Sequence, residues 1–265
     1  MRNSTVTRPP RITTGRLAAL VIGIPISLAV IGWCALSLIT LLSLDSFQIH
    51  RSFFPSASQL SVAVDSGHLT LIASGDSQVH LPGIAHYGLV RPTVDVTTTG
   101  TSVSVTVHCP WFVASECSVD LTVAIPPRIE VTASTDTGNL TSNGLDDLAL
   151  QTDTGDLQVN GGSGYLHLSS HTGEITGVAI DAPSVTASAQ TGDISLDFAQ
   201  APTNVSAQDQ TGDVTVTLPA GGTPYAVSAH TQTGDTNVEV PTNPASTNEI
   251  LASTGTGDVT VASAS

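Results

Sequence analysis

The sequence predicts an all-β fold: a β-solenoid (β-helix-like) domain that follows one N-terminal transmembrane helix. Two observations predict it. Residues 17–44 form an uncharged apolar run, and a Thr-Gly motif completed by an acid or Asn recurs seven times after residue 128. Apolar and polar residues alternate on both sides of each motif, which is typical of strands with one buried face. We expect four segments: a cytoplasmic tail 1–16, a transmembrane helix 17–44, an irregular β capping region 45–128 and a repeat array 129–265.

The N-terminal segment predicts a signal anchor in the cell membrane. Four of the seven Arg (Arg2, Arg8, Arg11, Arg16) precede the apolar run, whose length exceeds the roughly 20 residues that a membrane span needs. A cleavable signal peptide has a shorter apolar core and a small-x-small site. No Ala-x-Ala follows this run closely, although cleavage remains the alternative. The positive-inside rule then puts the tail in the cytoplasm and residues 45–265 outside.

Charge restricts the partners of the extracytoplasmic part. The chain has a net charge of −15 and contains no Lys, and residues 45–265 carry 3 Arg against 22 acids, or −19. Nucleic acid is therefore not an expected partner, because almost nothing can neutralise phosphates. Without Lys, Schiff-base chemistry and a P-loop lysine are excluded.

Two cysteines agree with an outside location. Cys109 and Cys117 stand eight residues apart, and in an oxidising compartment they are expected to form a disulfide that closes a short loop. Free thiols are the alternative. A metal site is disfavoured, because there is no second Cys pair and His108 is the only nearby imidazole.

The repeats place a glycine at the same point of each copy. The structural turn glycines are Gly138, Gly155, Gly173, Gly192, Gly212, Gly234 and Gly257, spaced 17 to 23 residues apart. Residues seven and five positions before each glycine are aliphatic or Ala, and the residue two after it is apolar in all but one copy. A left-handed backbone at the turn explains the glycine.

Stacked repeats of this length bury a continuous core, which one repeat cannot do alone. A β-solenoid is therefore expected, with stacked antiparallel hairpins as the alternative, since a short loop also fits a hairpin. We expect residues 45–128 to cap the array. The strand near Val259–Val261 should be the exposed terminal one.

This organisation resembles the bacterial family of membrane-anchored β-strand-repeat "putative adhesin" domains of unknown function. The seven Thr-Gly motifs and their apolar flanks, over residues 131–261, carry the resemblance. It implies a right-handed β-helix-like domain outside a bacterial membrane and carries over no catalytic residues. Related domains occur in membrane proteins that tune envelope-stress signalling.

The turn acids are the candidate cation ligands. In a parallel solenoid they stack about 4.8 Å apart, and Ca²⁺ prefers such oxygen ligands. The ladder comprises Asp156, Glu174, Asp193, Asp213, Asp235 and Asp258. The simpler interpretation is a row of solvated acids that cap backbone N–H groups, with no cofactor; the Gly-rich nonapeptide calcium repeat is absent.

The sequence predicts a binding protein rather than an enzyme. Glycosidases need a distinct pair of carboxylates, whereas these recur in every turn, and no Gly-x-Ser-x-Gly motif occurs. We expect an adhesin-like or envelope-interaction module whose Thr, Ser, Gln and Asn faces contact a surface glycan or protein. The alternative is a sensory or scaffolding partner of a membrane protein in the envelope-stress response.

Overall fold

The computed structural model describes residues 24–34, 45–53, 58–88, 90–110 and 117–264. The chain divides into two compact units, Met1–Leu44 and Asp45–Ser265. In the first unit a helix, α1, spans residues 24–34, and the rest of the predicted span 17–44 lies outside the described residues. Among the residues described, no helix is long and apolar enough to cross a membrane.

The second unit is built from strands. Its described residues form β1 (Asp45–Phe53), β2 (Gln59–Ser66), β3 (Leu69–Ala73), β4 (Val79–Tyr87), β5 (Thr93–Thr99), β6 (Ser102–His108), β7 (Ser118–Ile125), β8 (Glu130–Thr137), β9 (Leu140–Asn143), β10 (Leu148–Thr154), β11 (Leu157–Asn160), β12 (Tyr165–Thr172), β13 (Ile175–Ile180), β14 (Ser184–Thr191), β15 (Ile194–Phe198), β16 (Asn204–Thr211), β17 (Val214–Leu218), β18 (Ala226–Thr233), β19 (Thr236–Val238), β20 (Glu249–Thr256) and β21 (Val259–Ser263).

These strands form two sheets, one with 11 strands and one with 10. Each repeat contributes one strand to each sheet, and repeats that are neighbours in the stack pair in parallel with matching registers, as in Leu150↔Leu168 and Leu157↔Ile175. We call each such unit a coil. In a coil, a strand of the 10-stranded sheet is followed by a corner and then by a strand of the 11-stranded sheet. The predicted β-solenoid is confirmed, and the parallel pairing excludes stacked hairpins for the repeats.

The order of coils in the stack differs from the order in the chain at both ends. The coil of β20 and β21 lies between the coil of β16 and β17 and that of β18 and β19. The prediction that Val259–Val261 form the exposed terminal strand was therefore wrong. The inward residues of the last three coils are so alike, as in Val205, Val227 and Ile250, that alternation alone cannot set their order.

The core is a set of aliphatic columns that run along the stack. Inward side chains of equivalent positions lie directly above one another, and most are fully buried. Each fully buried Leu, Ile or Val contributes about 1.5–3 kcal/mol relative to exposure. One column comprises Leu121, Leu69, Leu140, Leu157, Ile175, Ile194, Val214 and Val259.

Antiparallel strands cover the end of the stack that begins with β6 and β7. β5 pairs with β6 on the 10-stranded sheet, and β4 and β1 extend the 11-stranded sheet beyond β7. A small cluster supports this cover: Arg91 donates to the Tyr87 hydroxyl at 2.7 Å, and that hydroxyl donates to Asp45 at 2.9 Å. The Tyr87 hydrogen bond is the main reason that the pKa of Asp45 is lowered.

Candidate functional surfaces of the solenoid

The corners between the two sheets are built on glycines with positive φ, from 133° to 150° in the seven repeats. This backbone is left-handed and favours glycine. A second constraint comes from the stack, because each corner glycine lies against the carbonyl of the glycine before it. A Cβ on Gly155, for example, would overlap the Gly138 carbonyl oxygen. The recurrence of glycine thus reflects both the turn and the close approach of coils.

The turn acids form hydrogen bonds from coil to coil. The side-chain oxygens of five turn residues accept from the backbone N–H of the equivalent residue in the next coil, at 2.7–3.1 Å; the acceptors are Asn139, Asp156, Asp193, Asp213 and Asp258. One run joins Asn139, Asp156 and Glu174, and the other joins Asp193, Asp213, Asp258 and Asp235 in stack order. In the described part of the chain, no group of three or more His, Cys, Asp or Glu could hold a metal ion.

A column of small or polar side chains lies just inside the same corners, three residues before each glycine: Thr135, Thr152, Ser170, Ala189, Asp209, Thr231 and Thr254. Thr hydroxyls in this column donate to glycine carbonyls: Thr254 to Gly212 at 2.9 Å and Thr231 to Gly257 at 2.9 Å. Thr135 and Thr152 do the same at the Gly138 carbonyl, at 3.1 and 3.3 Å. The Thr side chains of this column therefore donate hydrogen bonds to the glycine carbonyls at the corners.

Asp209 occupies this column and breaks its pattern. It is 7% exposed, and neither carboxylate oxygen has a hydrogen-bond partner among the described residues. Burial raises the pKa of Asp209. The backbone N–H groups of Gln210 and Thr211 lie near the carboxylate without hydrogen-bond geometry and partly offset that effect, whereas the charges of Asp193 and Asp213 add to it. An ionised carboxylate cannot donate to a glycine carbonyl as Thr does. From the sequence Asp209 was grouped with Asp136 and Asp153 as extra charge at the turns, although its position three before Gly212 places it on the inward side.

The coil of β6 and β7 turns its corner differently. Its registers with β2 and β3 match those of the other coils, as in Val64↔Val107 and Leu69↔Leu121. Its neighbour turns with Gly67 and His68, whereas this corner runs from Cys109 to Cys117. The two cysteines form a disulfide, with Cα atoms 5.9 Å apart. The disulfide thus lies at the place where the other coils have their glycine corner.

An ion pair lies beside this disulfide. His108 Nδ1 is 2.8 Å from Asp65 Oδ2, and the same oxygen accepts from the Cys109 backbone N–H at 3.0 Å. The hydrogen bond to Asp65 raises the pKa of His108. The neighbouring Asp136 has its pKa raised by desolvation and by the charges of Asp65 and Asp153. This strip of the 10-stranded sheet is therefore locally acidic.

The outer faces of the sheets carry polar side chains in register. On the 11-stranded sheet one such row, here called the polar row, runs from β7 to β19. It comprises Thr122, Thr70, Thr141, Gln158, Thr176, Ser195, Thr215, Thr260 and Asn237. On the 10-stranded sheet a groove of about 390 Å³ crosses β10, β12, β14 and β16, lined by residues that include Gln151, His171, Gln190 and Gln210.

An apolar cavity lies at the end of the stack formed by β18 and β19. Its volume is about 880 Å³. Its lining is mainly apolar and includes Tyr225, Val227, Ala229, Val238 and Pro244. The Tyr225 hydroxyl is buried and has no hydrogen-bond partner among the described residues, and burial raises its pKa. The turn pattern gave no signal for this cavity, because it arises from the order of the coils.

The solved structures that are similar to this chain include three proteins from bacteria. They are a putative cell adhesion protein from Clostridium sporogenes (11% identity, TM-score 0.42), a putative adhesin from Parabacteroides merdae (14%, 0.42) and one from Parabacteroides distasonis (13%, 0.42). The matches cover 83%, 83% and 82% of this chain and 100%, 96% and 96% of those chains. Among curated proteins, none matches the chain.

A family model provides the assignment. The model described as Toastrack DUF4097 matches residues 58–265, which includes every coil of the stack. The match agrees with the parallel coils and glycine corners described above, and it confirms the resemblance on which the sequence analysis relied. The chain belongs to the Toastrack DUF4097 family.

Proposed function

We propose that residues 45–265 form a non-enzymatic binding module, adhesin-like or envelope-interacting, displayed outside the cell membrane and held there by residues 17–44. The observation that carries this proposal is the polar row. Nine hydroxyl and amide side chains stand in register on one face of a rigid sheet. Repeat proteins commonly bind through such extended faces.

The geometry of the row favours a ligand that is itself extended. Neighbouring strands lie about 4.8 Å apart, so nine positions span about 38 Å. Hydroxyl and amide groups both donate and accept hydrogen bonds, and they repeat at a fixed spacing. A surface glycan or an extended protein segment offers matching groups along its length, and the net charge of −19 opposes anionic polymers.

The use of the acids supports a binding role over catalysis. A glycosidase needs one carboxylate that donates a proton and a second that acts on the opposite side of the bond. Four of the turn acids, Asp156, Asp193, Asp213 and Asp258, instead accept hydrogen bonds from backbone N–H groups of the next coil. They serve the stacking of coils, and their pattern repeats at several corners.

In-cell photocrosslinking tests the proposal. A photoreactive amino acid at Gln158 or Thr215, both in the polar row, should capture the ligand. The same amino acid at Asp76, which lies outside the row with its side chain 73% exposed, is the control. Capture of a wall glycan or a foreign surface molecule at the row alone supports an adhesin-like module.

Two other outcomes count against that function. Capture of one membrane protein of the same cell at the row would assign the protein to regulation of the envelope and remove the adhesive role. Equal capture at the row and at Asp76 would show that the row is not a specific contact surface.

A further inference from the structure

The two ends of the solenoid differ in whether further strands cover the outermost coil. At one end, β5 and β4 cover the first parallel coil, and inward residues such as Val105 and Val123 are fully buried. At the other end, β18 and β19 are the outermost strands among the described residues. Val238 is 39% exposed there, whereas its equivalent Val261 in the adjacent coil is fully buried. The second end therefore exposes side chains that every interior coil covers.

The exposed surface continues into the 880 Å³ cavity. Val227, Ala229 and Val238 supply apolar walls, and Tyr225 and Pro244 extend them. The Tyr225 side chain is 2% exposed and its hydroxyl lacks a partner among the described residues. A buried hydroxyl without a hydrogen bond costs free energy, so this group is a ready donor for a ligand that enters the cavity.

The outer edge of β18 offers backbone hydrogen bonds. The Ala226 N–H donates to the Asn248 carbonyl, on the side of β20. In a parallel strand, alternate residues direct their N–H and C=O groups to opposite sides. The backbone groups of Val227 and Ala229 therefore face away from β20. On this outer side the Tyr225 backbone already pairs with residues 241–243, and only from Val227 onward is the edge unpaired by described residues. Free edges of this kind accept an added strand.

Charge selects among the possible occupants. The chain has no Arg or Lys after Arg128, while sixteen acids follow it. Glu249 lines the cavity and Glu239 follows Val238 directly. A second copy of the domain would bring another −19 to this surface and be repelled. A segment with Lys or Arg is attracted.

We propose that this open end binds an extended basic segment of another protein, which adds as a strand along β18. Alternate apolar side chains of the segment cover Val227, Ala229 and Val238, and Lys or Arg side chains between them face Glu249. The Tyr225 hydroxyl donates to the segment's backbone. This interaction is independent of the polar row, so either proposal can fail without the other.

Fluorescence anisotropy with the full chain in detergent micelles tests the proposal. The probe is a labelled heptapeptide of alternating valine and lysine, and its control replaces lysine with glutamate. The lysine peptide should bind at least about tenfold more tightly, because like charges oppose association. Equal binding of the two peptides, or binding of neither, would overturn the proposal.

Matched variants place the peptide on the protein. Val238→Arg should weaken binding of the lysine peptide by about tenfold. Val178→Arg is the control, because Val178 is equally exposed, at 40%, on an interior coil of the same sheet; it should change binding by less than about twofold. Equal weakening by both variants would mean general charge attraction and would contradict a site at the open end.

Tyr225→Phe separates binding from folding. It removes the unpartnered hydroxyl, so the melting temperature should stay the same or rise, while peptide affinity falls by about fivefold. Unchanged affinity would remove Tyr225 from the site.

Sedimentation of the full chain tests whether a second copy of the chain binds this end instead. A dimer that Val238→Arg dissociates would assign this end to self-association and overturn the proposal.

Discussion

The coils between residues 130 and 218 and the coil of β6 and β7 bury equivalent columns but turn their corners by different means. The regular coils use one glycine with positive φ followed by an acid or, in one coil, Asn139. The coil of β6 and β7 replaces that corner with a longer segment closed by the Cys109–Cys117 disulfide. The inward register is the same in both. The comparison shows that the core specifies the coil, while the corner can be either a tight turn or a covalently closed loop.

The largest effect should come from the tight corner. In Gly155→Ala the new Cβ meets both a φ of 138° and the Gly138 carbonyl oxygen, so we expect a loss of more than about 3 kcal/mol. Thermal unfolding of the full chain, followed by circular dichroism, measures it. Gly75→Ala is the control, because a Cβ there has no neighbour within 4 Å. Similar losses in both variants would show that the corner is not special.

The disulfide corner should be the next most sensitive. Cys109→Ser opens the loop and should lower stability by about 2.5 kcal/mol, as expected for a loop of this length. The measurement is the same unfolding curve with and without reductant. Cys34→Ser, at the exposed free cysteine, should leave the curve unchanged. If reductant shifts the wild type and Cys109→Ser equally, the disulfide does not stabilise this corner.

Asp209 is a residue of a regular coil that lacks the hydroxyl donor just inside its corner. Asp209→Thr restores the donor that Thr254 and Thr152 provide in their coils, and it removes a buried unsatisfied group that costs about 1–3 kcal/mol. We expect a gain of about 1 kcal/mol at neutral pH, measured by denaturant unfolding.

The pH dependence of that gain has a definite sign. Burial raises the folded pKa of Asp209 above its ordinary value of 3.8, so the protonated form favours folding. Its contribution is fully present below pH 3.8 and is lost as pH rises through the raised value. The gain from Asp209→Thr should therefore be larger at pH 7 than at pH 3.5. A gain that does not depend on pH would contradict a buried titrating carboxylate.

The sequence was sufficient for the parts of the fold that repeat. The constant position of Leu157, Ile175 and their equivalents, two residues after each turn glycine, predicted the inward columns. The spacing of the glycines predicted the corners. It could not predict the positions of β20 and β2 in the stack, because interchangeable columns of Val, Leu and Ala carry no information about order. For the same reason the open end and its cavity were not predicted, since they exist only because β18 and β19 are outermost.

The smallest effect should come from the ladder of acids, and it tests whether charge or hydrogen bonding matters there. Asn139 already fills one ladder position, where its side-chain oxygen accepts from the Asp156 N–H at 3.0 Å. Asp156→Asn keeps an acceptor for the Glu174 N–H and should change stability by less than about 0.5 kcal/mol, whereas Asp156→Ala removes it and should cost about 1 kcal/mol.

Melting curves of both variants with millimolar Ca²⁺ and with chelator complete the test of the ladder. A Ca²⁺-dependent rise of several degrees in the wild type that Asp156→Asn abolishes would mean that the ladder binds cations; equal curves with and without Ca²⁺ leave it as a stack of caps on backbone N–H groups.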